Sequence, residues 1–215
     1  MRVQRRIASI LVGATCIFLL VAAHAGANRL EIANAREGFR FFWSLGSEEL
    51  EFKIGTATVR CEVRLIGTFS ERTIPKTPGT TIGRVTVALA INICTGGAVR
   101  MLEETLPWTL NYAAFTGTLP NISTVKLMVV GFRARITPEG STACLATSTA
   151  MNPVVLSARV EATEPTFESI TAEPTPSIPV TGEGGLCASG ATLRLGATGS
   201  IGILEPPGSV QIRLI

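Results

Sequence analysis

The sequence contains no aspartate, and its single histidine, His24, lies in an N-terminal segment that we expect to be removed. All sixteen acidic residues are therefore glutamates. Without aspartate and histidine, the mature chain cannot form a Ser-His-Asp triad, a Cys-His pair, an aspartate-rich calcium loop or a histidine zinc site. Histidine is also the usual general acid or base near neutral pH. These absences favour a binding or structural protein over an enzyme, and we predict no catalytic residue.

Residues 1–25 have the features of a signal peptide. Three arginines precede a run of apolar and small residues over 7–23. Ala23 and Ala25 are the small residues that the peptidase requires for cleavage before Gly26. We therefore expect a protein that is secreted or held at the cell surface. A retained membrane anchor is the alternative, because the apolar run is long.

Removal of this segment changes the charge of the chain. The full sequence has 19 basic and 16 acidic residues, a net charge of +3. Arg2, Arg5 and Arg6 account for that excess, so the mature chain carries 16 residues of each sign. A neutral chain does not suggest binding to an anionic polymer. We expect no nucleic-acid partner, no membrane contact after cleavage, and a protein or glycan as the partner.

Four cysteines follow the signal segment, at positions 61, 94, 144 and 187. An even number in an exported chain predicts two disulfides, because the compartment is oxidising. Three connectivities are available, and we favour Cys61–Cys94 and Cys144–Cys187 because each pair brackets one compact block of strands. A zinc site of four thiolates would need close pairs such as C-x2-C, which the chain lacks. We predict neither a metal nor a cofactor.

Apolar residues alternate with polar or small ones along most of the mature chain, which is typical of β strands with one buried face. Turn sequences rich in glycine and proline separate these runs. We predict an all-β fold, a mostly antiparallel β-sandwich of immunoglobulin-like or jelly-roll-like type, in one domain over residues 26–215. The proline-rich stretch at about 164–179 is expected to be a surface loop, and two lobes divided there are the alternative. The alternating runs are Val59–Leu65, Val85–Ile93, Leu106–Tyr112, Met128–Ile136, Val154–Ala162 and Val210–Leu214.

The favoured cysteine pairing raises a problem of strand parity. Cys61 shares a face with Val59 and Val63, whereas a regular strand would place Cys94 on the face opposite Ile91. Either a bulge intervenes, or Cys94 lies just beyond the strand end.

The segments Leu106-Pro107-Trp108 and Phe115–Pro120, followed by Cys144, resemble secreted bacterial β-rich proteins that remain uncharacterised. The resemblance covers roughly the middle of the mature chain. It implies export and a β-rich fold, and it implies no activity.

Two patterns could carry chemistry. Ser123 and Lys126 match the S-x-x-K spacing of serine acyl-transferases, but there the pair lies on a helix, whereas residues three apart on a strand point to opposite faces. A glycosidase needs only two carboxylates, and the adjacent Glu103 and Glu104 are the closest approach to such a pair. The alternative interpretation of these residues is a solvated surface.

Aromatic residues offer a binding surface. Phe39, Phe41, Phe42 and Trp43 are denser than one strand face requires, so they form our candidate binding patch. Trp108 and Tyr112 share a face with two leucines and are expected in the core. We therefore hypothesise an exported, non-catalytic protein with a structural or binding role. A glycan hydrolase with a glutamate pair and a carrier of a small apolar ligand are the alternatives.

Overall fold

The computed structural model describes residues 29–32, 40–118, 121–161, 166–174, 176–182, 184–188, 190–204, 207–208 and 211–214. These residues form sixteen β strands and two single-turn 3₁₀ helices, at Glu103–Thr105 and Gly185–Cys187. The first eight strands are β1 (Arg29–Ile32), β2 (Arg40–Ile54), β3 (Ala57–Phe69), β4 (Thr73–Pro75), β5 (Thr81–Thr95), β6 (Gly97–Met101), β7 (Trp108–Thr118) and β8 (Asn121–Val130). The other eight are β9 (Arg133–Pro138), β10 (Cys144–Thr147), β11 (Val154–Val160), β12 (Phe167–Ala172), β13 (Ile178–Thr181), β14 (Thr192–Leu204), β15 (Pro207–Gly208) and β16 (Ile212–Leu214).

The largest sheet closes on itself. Its antiparallel ladders join β2, β3, β5, β7, β8, β11, β12 and β14 in chain order, and β14 pairs with β2 as well as with β12. Strands on opposite sides of the sheet face each other across one apolar core. The predicted all-β, mostly antiparallel, sandwich-like fold with two disulfides is confirmed. The strands of the closed sheet are paired in the order in which they occur along the chain. This order differs from a Greek key, in which a long connection returns a strand beside an earlier one.

Two smaller groups of strands flank the closed sheet. The strands β13, β10, β9 and β6 continue from one end of β14, in that order, and β6 is the last strand of this extension. A separate sheet places β1 between β4 and β16. In that small sheet Glu31 is buried and forms an ion pair with Arg72 at 2.7 Å.

A bulge in β5 interrupts the apolar stripe that is expected over Val85–Ile93. The register with β3 shifts between Val85 and Val87, so Thr86 is an extra residue. The side chain of Val85 is buried, whereas beyond the bulge Ala88 is buried and Leu89 is exposed. The apolar stripe therefore changes face at Thr86, because one inserted residue inverts the parity of a strand.

The expected stripe over Met128–Ile136 is also wrong for a continuous strand. Gly131 has a φ of +90° and separates β8 from β9. On the β8 side, Val125, Leu127 and Val129 are the buried residues, in place of Met128 and Val130. A glycine can adopt this left-handed conformation without strain, so the chain turns there into the flanking sheet.

The expected loop at 164–179 contains a strand of the closed sheet. β12 occupies Phe167–Ala172 between β11 and β14. The loop prediction is wrong for this part because the prolines lie outside β12, and Pro179 lies on β13. Proline lacks the N–H that a central strand needs, and β12 contains none.

The predicted signal segment, residues 1–25, lies outside the described residues. Within the described part of the chain, no helix is long and apolar enough to cross a membrane. Cleavage and the single-domain extent of 26–215 remain predictions.

Candidate functional site

Both predicted disulfides are present, which indicates an oxidising environment. Cys61–Cys94 joins β3 to β5 with a Cα–Cα distance of 4.5 Å. Cys144–Cys187 joins β10 to the second 3₁₀ helix, with 5.3 Å between the Cα atoms. The bulge at Thr86 inverts the parity of β5, so that Ala88 is buried and Ala90 and Cys94 pack partly buried against the core. A second register shift against β3, between Ile91 and Thr95, accompanies the disulfide.

The candidate aromatic patch lies outside what the structure describes. Phe39 lies outside the described residues, and Phe41, Phe42 and Trp43 lie on β2 with side chains that are also outside them. The patch therefore remains a prediction.

Trp108 and Tyr112 are core residues, as predicted, with side chains 1% and 2% exposed. The Trp108 ring packs edge-on against Phe132 with 5.2 Å between ring centroids. Burial raises the pKa of the Tyr112 hydroxyl. Neither ring offers a face to a ligand.

The S-x-x-K pair does not form an acyl-transferase site. Both residues lie on strand β8 rather than on a helix. The Ser123 hydroxyl lies 3.0 Å from the Thr116 hydroxyl, whereas the Lys126 ammonium contacts the Glu173 carboxylate at 2.8 Å. The two side chains have different partners, so the spacing in sequence carries no shared chemistry.

Lys126 instead belongs to a cluster that the sequence does not predict. We call it the three-strand cluster, and it consists of Lys126 on β8, Ser157 on β11 and Glu173 at the end of β12. Ser157 donates a hydrogen bond of 2.5 Å to the Glu173 carboxylate oxygen that also contacts Lys126. Burial alone raises the pKa of the Glu173 carboxyl, but the hydrogen bonds from Lys126 and Ser157 and the attraction of the ammonium outweigh it, so its pKa is lowered. The cluster holds an anion and a cation against each other, which fits cross-strand stabilisation.

Glu103 and Glu104 border an open groove of about 360 Å³ between β5 and β6, which we call the β5–β6 groove. Both glutamates are exposed, and within the described part of the chain neither belongs to an ion pair. Leu89, with 38% of its surface exposed, also borders the groove. The lining residues are Ala88, Leu89, Ala90, Val99, Arg100, Met101, Glu103 and Glu104.

The walls of the groove are the edges of two strands. The ladder between β5 and β7 covers Thr81–Val85. The following part of β5, Val87–Ile91, is paired with β3 on one side, and among the described strands none is paired with it on the other. β6 is paired with β9 and ends the flanking sheet. The groove therefore lies between two strands that each have one unpaired edge.

The acidic end of the groove is held by the core. Thr105 closes the 3₁₀ turn with a 2.7 Å hydrogen bond from its hydroxyl to the Leu102 carbonyl oxygen. The same hydroxyl accepts a 2.9 Å bond from the indole N–H of buried Trp108. Because Leu102 is buried as well, the glutamates project from a turn that is fixed on both sides.

The enclosed cavity of the described core offers little room for a ligand. One enclosed apolar cavity within the described core has a volume of about 10 Å³. That is about the space of one water, whereas pockets for small molecules are roughly 300–1,000 Å³. Its walls come from opposite sides of the closed sheet: Leu50, Val63, Leu65, Val129, Phe132, Val154, Leu156, Ala172 and Leu195.

Among the described residues, no three His, Cys, Asp or Glu side chains come together as metal ligands. No family model, curated protein or solved structure matches the chain. The resemblance to secreted bacterial proteins therefore remains a prediction. The function has to be inferred from the described residues of this chain.

Proposed function

We propose that this chain is an exported, non-catalytic binding protein that acts at or outside the cell surface. The observation that carries the proposal is the β5–β6 groove, which combines an exposed leucine with strand edges and two carboxylates that have no partner among the described residues. Such features normally require protection from other chains unless they serve as an interface. The two disulfides support export.

The chemistry of the described residues supports binding over turnover. In the three-strand cluster, the Glu173 carboxylate is already paired with the Lys126 ammonium and accepts a hydrogen bond from the Ser157 hydroxyl. A lowered pKa makes Glu173 a poor base near neutral pH. The cluster therefore has the features of a structural ion pair.

A hydrolase that uses two glutamates is the second candidate, because Glu103 and Glu104 border one groove. Such enzymes place the acid in a sheltered pocket and set the two carboxylates on opposite sides of the scissile bond. Here both side chains are exposed and come from consecutive residues of one turn. This arrangement supports recognition of a cation better than cleavage.

The carrier alternative is weaker still, since the enclosed cavity of about 10 Å³ cannot hold an apolar ligand.

The test is a paired screen on the mature protein. We expect saturable binding to at least one member of a panel of secreted proteins, peptides and surface glycans, and no turnover of glycan, ester or peptide substrates. Turnover that survives purification and is abolished by Glu103→Gln or Glu104→Gln, with the fold intact, would replace the binding proposal by the hydrolase.

A further inference from the structure

We propose that the β5–β6 groove binds an extended segment of a partner protein by strand addition, and that this segment presents a lysine or arginine to Glu103 and Glu104. The inference rests on the proposed function, because it names the class of partner that the same groove would take.

The unpaired edges supply the backbone part of the recognition. In an antiparallel strand, alternate residues direct their N–H and C=O groups to opposite sides. Those of Val87–Ile91 that point away from β3, and those of β6 that point away from β9, border the groove. An extended peptide in the groove can pair with such groups on either wall. A peptide that pairs with both would join the closed sheet to the flanking sheet.

The side chains along the edge do not protect it. Edge strands usually avoid association through charged residues, prolines or coverage by another element. The stretch of β5 that borders the groove is Ala88, Leu89 and Ala90, and the leucine is 38% exposed. This stretch is uncharged, so it offers an apolar contact to alternate side chains of an added strand.

The charges identify the kind of segment. Two carboxylates and one guanidinium, that of Arg100, belong to the described lining, so the groove has a net negative charge, in a mature chain whose 16 basic and 16 acidic residues balance overall. Within the described residues Glu103 and Glu104 have no cationic partner, and their turn is fixed by Trp108 through Thr105. A lysine or arginine of the added segment would complete this preorganised site.

Other partner chemistries fit the groove less well. The described lining residues include no aromatic side chain, whereas aromatic faces are the usual platform for flat ligands such as sugars and bases. The carboxylates would repel a phosphate backbone. An extended peptide uses the edges, the leucine and the carboxylates together.

The first experiment uses a blocked hexapeptide of alternating valine and polar residues with one central lysine, added to the full mature protein. We expect saturable binding by fluorescence anisotropy, and slower amide hydrogen exchange in Val87–Ile91 and in β6 with little change in β11. Absence of binding at millimolar peptide, or binding without protection at these edges, would overturn the proposal.

Two peptide variants test the mode of binding without touching the protein. In the first series, each central residue of the peptide is N-methylated in turn. Binding should weaken about tenfold at alternate positions if the peptide pairs with one strand edge, and at every position if it pairs with both edges. A peptide that binds equally well when N-methylated at all of them does not add a strand. Replacement of its lysine by glutamate should weaken binding several-fold, and equal binding would refute the charge assignment.

The protein variant is Glu103→Gln/Glu104→Gln, with Glu71→Gln/Glu139→Gln as its control. The control removes the same charge from two other exposed glutamates that do not line the groove. We expect binding about three- to tenfold weaker in the groove variant, as two exposed ion pairs allow, and unchanged in the control. Equal loss in both would show a nonspecific charge effect and would overturn the assignment.

A wrong mode of binding and a wrong binding role would give different experimental results. If the hexapeptide does not bind but another panel member does, strand addition is wrong and the binding role stands. If a purified substrate is turned over, the binding role itself is wrong. Concentration-dependent dimers that protect Val87–Ile91 without peptide would show that a second copy is the occupant, and would overturn the choice of a partner protein.

Discussion

The β8–β11–β12 surface and the β5–β6 groove both carry glutamates beside cationic side chains, yet they are built in opposite ways. In the first region each strand has a ladder on both sides. The Glu173 carboxylate there is shared between Lys126 and Ser157. In the second region each strand has an edge that no other described strand pairs with, and the carboxylates of Glu103 and Glu104 form no ion pair among the described residues, although Arg100 lines the same groove. The comparison separates charges that stabilise the fold from charges that are open to a partner.

The groove region has its own means of staying in place. Among the described strands, β3 is the one ladder partner of the part of β5 beyond Val85, and Cys61–Cys94 fixes the end of β5 to it. The disulfide therefore helps to hold this part of β5 in place, as a second neighbouring strand holds β11. The edge of β5 is thus open while the strand is tied to β3, which favours binding because less ordering is needed when a partner arrives.

The largest expected effect comes from removing a disulfide. Cys61→Ala/Cys94→Ala should lower the free energy of unfolding by about 3–4 kcal/mol, and Cys144→Ala/Cys187→Ala by a similar amount, since chain-entropy loss depends weakly on loop length. The sequence separations are 33 and 43 residues. Urea unfolding measures these losses. Amide exchange should then accelerate at Val87–Ile91 in the first variant and not in the second; equal acceleration in both would contradict the role assigned to Cys61–Cys94.

The turn between β5 and β6 should give the next effect. Gly97 has a φ of +148°, and a Cβ there would overlap the Thr137 carbonyl oxygen. We expect Gly97→Ala to cost at least about 2 kcal/mol, because backbone strain adds to a contact that the sheet cannot relieve.

Gly140→Ala is the matched control for that turn. Gly140 also has a positive φ, +68°, but its Cβ would meet nothing within 4 Å. We expect about 1 kcal/mol from backbone conformation alone. Thermal unfolding that shows equal losses for the two variants would mean that the turn between β5 and β6 tolerates displacement.

The sequence predicts the parts of this molecule that depend on composition and local pattern. Cysteine spacing gives both disulfides, and the shared face of Trp108 and Tyr112 gives their burial. The apolar alternation over Leu106–Tyr112 predicts a strand, and β7 begins within it at Trp108. Each of these follows from rules that act over a few residues or from the oxidising compartment.

The remaining parts depend on pairings that one sequence does not display. The apolar alternation continues through Thr86 and Gly131, so neither the bulge nor the break is visible before the ladders are known. Ser157 meets Glu173 across 16 residues, because β11 and β12 are neighbours. The groove likewise arises from where the β5–β7 ladder stops, which the order of strands decides.

A smaller effect should come from the three-strand cluster. Glu173→Gln should lower stability at pH 7 by about 0.5–1 kcal/mol, as a partly exposed ion pair allows. The pKa of Glu173 is lowered in the folded protein, so its contribution is present above the unfolded pKa of about 4.3 and is lost as the pH falls through the folded value. Urea midpoints for the native protein and the variant should therefore converge in acid. A gap that persists to pH 2 would show that packing, and not charge, is the cause.

The smallest effect on stability is expected from replacing Glu103 and Glu104, the two residues whose replacement should weaken partner binding most. Glu103→Gln/Glu104→Gln should change the free energy of unfolding by less than about 0.5 kcal/mol at pH 7, because both side chains are exposed and neither is in an ion pair within the described structure. Thermal and urea unfolding measure this, beside Glu173→Gln as the variant that should lose stability. A loss as large as that of Glu173→Gln would place these carboxylates among the charges that hold the fold together. They would then no longer be available to a partner, and the contrast between the two regions would disappear.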